Sequence, residues 1–145
     1  MKDIIFVADL YANEILGGAE LVNEELILLL ESKGYNVSRL RLHKAQQLSV
    51  NVLKASKDTT YIFGSMTTLR EDVKREIQSG GYRYIIYEHD HKYLNTRDPS
   101  PYKDYKAPAP QLVNEDFYNA ASLVVCQSKL HEAAVKINLP EANTT

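Results

Sequence analysis

The chain has 145 residues, 44% hydrophobic and 25% charged, with a formal net charge of −2. That suits one globular domain with a core of ordinary size, and gives no electrostatic case for nucleic acid or an anionic membrane. The single cysteine, Cys126, rules out a disulfide within the chain and fits a reducing, cytoplasmic compartment.

Ile4 to Ala8 is a short apolar run rich in β-branched and aromatic residues, as a buried parallel strand would be. It is too brief, and too soon followed by Asp9, for a signal peptide or a membrane span. A connection leads to Gly17-Gly18-Ala19-Glu20, and a long helix follows to about Lys33. Adjacent glycines let the backbone turn tightly and leave no side chain between the chain and whatever lies above it. The unpaired N–H groups and positive dipole end of the helix face the same space. The segment is therefore either a tight connection or an anion site of the kind that holds phosphate. It is neither a Walker A loop nor a G-x-G-x-x-G fingerprint. In the helix, Ala19, Val22, Leu26 and Leu29/Leu30 share one face, and Asn23, Glu24, Glu31 and Lys33 are expected opposite; Gly34 supplies the stop.

Asn36 to Leu42 alternates and reads as a more exposed strand; His43 to Ser56 reads as a weaker helix with loop. Thr59 to Gly64 is a third strand, ending in the turn Gly64-Ser65. Thr67 or Thr68 is expected to cap a helix reaching about Gln78, which Gly80-Gly81 ends. Tyr82 to Tyr87 is a fourth strand, followed by Glu88-His89-Asp90-His91. Lys92 to Pro110 is a long polar loop with four prolines. A helix over 111–121, a strand over Ser122–Cys126 and a helix from Lys129 to about Ile137, capped by Ser128, complete the pattern. Residues 1–140 are thus expected to form one Rossmann-like domain, and 141–145 a tail or the start of a linker.

Strand and helix alternate repeatedly. That predicts an α/β fold: an open, mostly parallel sheet with helices on both faces. In such sheets ligands bind beyond the carboxyl ends of the strands. The Gly17-Gly18 loop, the Gly64-Ser65 turn and Glu88 to His91 all fall at that edge.

Glu88, His89, Asp90 and His91 form the densest polar cluster, able in principle to bind a metal, move protons or contact sugar and phosphate. It also reads as a plain solvated strand end. In an extended stretch His89 and His91 point one way and Glu88 and Asp90 the other, which disfavours a metal; His43 and His131 lie on other segments. Six of the ten tyrosines fall in or near the fourth strand and the loop after it. Tyr82, Tyr84 and Tyr87 are expected to pack, whereas Tyr93, Tyr102 and Tyr105 are better placed for ligand or partner contact. No nucleophile is signalled, and Cys126 reads as a small core hydrophobe.

In its order of parts the chain resembles the N-terminal half of a GT-B-fold retaining glycosyltransferase. That large family includes sucrose synthases and many lipopolysaccharide and mannosyl transferases, and phage-encoded transferases are the nearest in flavour. The resemblance is carried by Gly17-Gly18-Ala19-Glu20 opening a Leu-rich helix, by Gly34 and Val37 (with Tyr35 where the family usually has His), by Tyr87-Glu88-His89-Asp90, and by Ser122 to Ser128. It implies transfer of a sugar from a nucleotide-sugar donor to a sugar or lipid-linked acceptor, with no metal or other cofactor. Gly17 and Gly18 would approach the donor phosphate and His89, as the catalytic-site residue, would contact the transferred sugar. Glu88, Asp90 and Tyr93 would line the substrate site. The family's second, nucleotide-binding domain is not in this sequence, so the resemblance implies a partner half and no appreciable transfer by this chain alone. A non-catalytic α/β module holding a sugar or phosphate is the alternative.

Overall fold

A computed structural model describes residues 2–145. Five strands form one parallel sheet in the order β2-β1-β3-β4-β5: β1 (Asp3–Ala8), β2 (Asn36–Arg41), β3 (Thr60–Phe63), β4 (Tyr84–Tyr87) and β5 (Leu123–Val125). Between them run α1 (Gly18–Ser32), α2 (Val50–Ala55), α3 (Glu71–Ser79) and α4 (Glu115–Ala120), with α5 (Lys129–Asn138) after β5. The expected α/β architecture is present. The chain moves from β1 outward to β2, then crosses back to place β3 on the other side of β1. The strand order therefore reverses between β1 and β3, where such sheets open a crevice.

The strand side chains separate into two layers. Ile4, Phe6, Ala8 and Ile62 pack with Ile27 of α1 on one face. Val7, Tyr61, Phe63, Tyr84, Ile86 and Val124 pack on the other with residues of α2, α3 and α4, and Val135 of α5 and Leu139 just after it join them. At the centre of that second layer, Phe63, Tyr84 and Phe117 meet with ring centroids 5.0–5.9 Å apart. Tyr82 and Tyr84 are buried, in the packing role expected of them. Cys126 packs against the same core, and burial pushes its thiol up to about 12.

Several local expectations change. The inward face of α1 is centred on Asn23 and Ile27, while Leu28 and Leu29 are exposed. Asn23 thus faces the interior, opposite to the side expected of it. Thr67 and Thr68 do not cap α3, which begins at Glu71 after Arg70. Their backbone N–H groups donate instead to the Asp9 carboxylate, both at 3.0 Å, and the Thr68 hydroxyl adds a third bond at 2.7 Å. Asp9 N–H donates in turn to Ser65 Oγ at 2.7 Å. The loops after β1 and β3 are laced together at the switch point. The segment expected as a polar loop is anchored: Tyr93, Leu94 and Ala107 are buried, and Leu94 bridges to Leu112. At the end of the chain, Asn143 and Thr145 exchange backbone hydrogen bonds with Val124 and Cys126, so this segment lies along β5.

Partial burial opposes ionisation of Asp9, but its bonds from Thr68, Thr67 and Ser65 outweigh that and hold the carboxyl below its usual 3.8. A lowered folded value stabilises above the unfolded value, and that stabilisation is lost as pH falls through the folded value. Asp9→Asn is therefore expected to cost on the order of 2 kcal/mol at neutral pH, as loss of hydrogen bonds to a charged group does. In urea unfolding the gap between wild type and variant should shrink well below pH 3.8. A gap independent of pH would contradict this reading.

Candidate functional site

A cleft of about 540 Å³ opens at the switch point. Asp9, Gly17, Gly18, Asn23, Ser65, Thr68, Asp90, Lys92 and Arg97 are among the residues lining it. It therefore draws on the loops after β1, β3 and β4 and on the first turns of α1, the three segments singled out from the sequence.

Gly17 is the N-cap of α1 and provides no side-chain cap. Leu21 N–H is the first to reach back, bonding Gly17 O at 3.0 Å. Among the described residues the N–H groups of Gly18, Ala19 and Glu20 have no acceptor, so donors and the helix dipole face the cleft. The two glycines differ in their surroundings. A Cβ on Gly17 would strike the Glu20 carboxylate, whereas one on Gly18 would meet no atom within 4 Å. Space for a ligand group therefore lies beside Gly18.

The opposite wall is set by the turn after β4. Asp90 and His91 both have positive φ, 56° and 50°. The extended alternation expected of Glu88 to His91 is broken there, so His89 and His91 do not share a direction. The turn is held from below by Glu88, 1% exposed. Its Oε1 accepts from Lys92 N–H at 3.0 Å and Tyr118 hydroxyl at 2.7 Å; its Oε2 accepts from His91 N–H at 3.3 Å and His131 Nε2 at 2.5 Å. A buried carboxylate requires such pairing.

His89 is 6% exposed, and its Nε2 lies 2.9 Å from Asn23 Oδ1. An amide oxygen can only accept, so Nε2 carries the proton. Its ring stands edge-on to Tyr87 at 4.9 Å. Burial, followed by the Lys92 ammonium, lowers its imidazole below 6.5 and keeps it neutral at neutral pH. The ring itself is not among the groups lining the cleft; Asn23, which it holds, is. Asn23, 2% exposed, is the cleft-lining residue missed from the sequence. The available signal was its place four residues from both Ala19 and Ile27, in register with the apolar face. A Cβ on Gly64 would meet the Asn23 amide at 2.5 Å, so the β3 turn also needs its glycine.

Among the other expected site residues, Asp90 is exposed at the cleft mouth, and Lys92 Nζ donates to His89 O at 3.2 Å and lies 3.6 Å from Asp90. Arg97 lines the same cleft and donates to Thr67 Oγ1 at 3.1 Å. Tyr93 is wholly buried, with its hydroxyl 2.7 Å from His91 Nδ1, so it stands behind the turn rather than in the cleft. Glu88 is likewise interior. A larger hollow, about 770 Å³, lies beside the edge strand β2. Its cations are already engaged, Arg39 with Glu24 and Arg41 with Glu14, whereas in the switch-point cleft Arg97 makes no ion pair among the described residues.

No protein-family model matches this chain, and no curated protein matches it. Among solved structures it is similar to an alpha-glucosyltransferase in complex with UDP and a 13-mer DNA containing a central A:G mismatch. The TM-score is 0.52 at 15% identity, over 99% of this chain and 40% of that one. The likeness is one of fold: a glycosyltransferase-like α/β sheet, in a chain that spans 40% of its neighbour's length. No helix among the described residues is long and apolar enough to cross a membrane.

The buried Gly64 and the exposed Gly18 make opposite predictions. Gly64→Ala should displace Asn23, break its bond to His89 and cost about 1–3 kcal/mol by overpacking. Gly18→Ala should be neutral or stabilise by about 0.5–1 kcal/mol, because a helical glycine gains from a Cβ that meets nothing. Urea unfolding of both variants checks this; equal effects would contradict it.

Proposed function

We propose that this chain is the acceptor-side half of a GT-B glycosyltransferase that moves a sugar from a nucleotide-sugar to a sugar or lipid-linked acceptor. The observation that carries the reading is the switch-point cleft: N–H groups at the start of α1 with no acceptor among the described residues, beside a bare Gly18, on one wall, and the Asn23–His89 pair with Lys92 and Arg97 close by. A second Rossmann-like domain, on the same or a partner chain, would supply most of the nucleotide contacts. The fold-level likeness to an alpha-glucosyltransferase in complex with UDP supports the reading, as does the 40% of that chain that is covered.

In this reading the donor phosphate lies on the first turn of α1, where the dipole and N–H groups favour an anion. Gly18 lets the phosphate come close to the backbone. Lys92 and Arg97 offset its charge. The sugar hydroxyls meet the Asn23 amide, which can donate and accept, and the Asp90 carboxylate, which accepts. His89 serves chiefly by holding the Asn23 amide in one orientation, and direct contact with the sugar would require that bond to open. Glu88 and Tyr93 support the turn from inside.

Isothermal titration with a hexose 1-phosphate tests the proposal on the chain as it stands. Gly18→Ala should lower affinity about tenfold, a loss of about 1.4 kcal/mol, while leaving stability intact. His89→Ala should lower it comparably by freeing Asn23. Unchanged affinity in both variants, or binding that depends on Arg39 instead, would contradict the assignment.

A further inference from the structure

We propose that Glu88, His91 and His131 form a binding site for a zinc-class divalent ion, separate from the cleft and independent of what the cleft binds. One ligand atom from each of the three lies within 4.8 Å of the others. The residues come from two segments far apart in sequence: the turn after β4 and the first turn of α5. The left-handed backbone at Asp90 and His91 makes this possible, because it brings His91 to the same side as Glu88 and sends His89 to Asn23.

Glu88 and His91 are each oriented by a partner behind them, as metal ligands are. The Tyr93 hydroxyl holds His91 Nδ1 at 2.7 Å, and among the described residues His91 Nε2 has no hydrogen-bond partner. Tyr118 and the Lys92 N–H occupy Glu88 Oε1, so Oε2 is the oxygen presented to the histidines. His131 Nε2 now donates to that oxygen at 2.5 Å, and its Nδ1 faces Gln127 N–H at 3.4 Å. Metal entry would move the ring proton from Nε2 to Nδ1, so the neutral imidazole keeps its single proton. The Gln127 contact, at the limit of hydrogen bonding, is what would relax.

Bonds of about 2 Å in a tetrahedron put neighbouring ligand atoms about 3.3 Å apart. From 2.5 Å the Glu88–His131 pair would open by about 0.8 Å, and from at most 4.8 Å the widest pair would close by up to about 1.5 Å. Two imidazole nitrogens and one carboxylate oxygen suit Zn²⁺ or Co²⁺ and disfavour Mg²⁺ and Ca²⁺. The fourth position would face a hollow of about 270 Å³ lined by His91, His131, Asp98 and Ser128, with room for water. The ion would cross-link the β4 turn to α5.

Co²⁺ titration of the purified chain, read by visible d–d absorption, together with the Zn²⁺ dependence of Tm, tests this. His131→Gln keeps a donor toward Glu88 but removes the nitrogen ligand; His91→Asn is the parallel variant should the first not fold. The expected result is one equivalent of Co²⁺ with low-coordination bands and a Tm raised by Zn²⁺. Either variant should weaken binding at least about tenfold and abolish the Tm rise. Absence of saturable binding, or equal binding in wild type and variant, would show a Glu88–His131 hydrogen bond and nothing more, and would overturn the proposal.

Discussion

The Glu88 carboxylate, enclosed in the protein, is the constraint on which the rest of the site depends. A buried ionised group is tolerated only when its lone pairs are occupied. Here the donors come from the turn that follows it, from α4 and from α5. Two of them are the backbone N–H groups of His91 and Lys92, and drawing those groups toward the carboxylate bends the chain through left-handed conformations at Asp90 and His91. Such conformations cost of order 1 kcal/mol or more in residues with side chains and persist where the surroundings determine them. The direction of every side chain from His89 to Lys92 follows from that bend. His89 is aimed at α1, Asp90 at the cleft, and His91 at α5.

The sheet supplies the second half of the arrangement. Reversal of strand order between β1 and β3 leaves a gap that α1 borders and no helix fills. Asp9 spans the gap from below, so the two loops that form its floor are tied together by hydrogen bonds. The wall groups differ in character: backbone N–H donors at α1, a neutral amide at Asn23, cations at Lys92 and Arg97, and carboxylates at Asp9, Glu20 and Asp90. A phosphate joined to a polyhydroxylated ring matches that mixture better than a purely anionic or purely apolar ligand, and this complementarity underlies the proposed sugar transfer.

Much of the fold was legible in the sequence because it depends on short apolar runs and glycine stops. β1, β3 and the Gly17-Gly18 corner fall within a residue or two of where periodicity and turn chemistry put them. What was not legible depends on long-range pairing. Asn23 looked like a solvent-facing residue because polarity was used to assign the face, but its amide is satisfied inside by His89, 66 positions away. Thr67 and Thr68 carry good capping chemistry and spend their N–H groups on Asp9, which no local window contains. The turn after β4 was read as extended because nothing in Glu-His-Asp-His announces the carboxylate that curls it. The segment from Lys92 to Pro110 read as polar and open because its buried residues, Tyr93, Leu94 and Ala107, recur at no regular spacing.

The most direct measurement is a crystal structure of this chain with a hexose 1-phosphate bound. The account predicts phosphate oxygens against the backbone N–H groups of Gly18 and Ala19, and sugar hydroxyls on the Asn23 amide with His89 still behind it. A ligand seated instead over β2 beside Arg39 and Arg41, with the glycine corner bare, would contradict it.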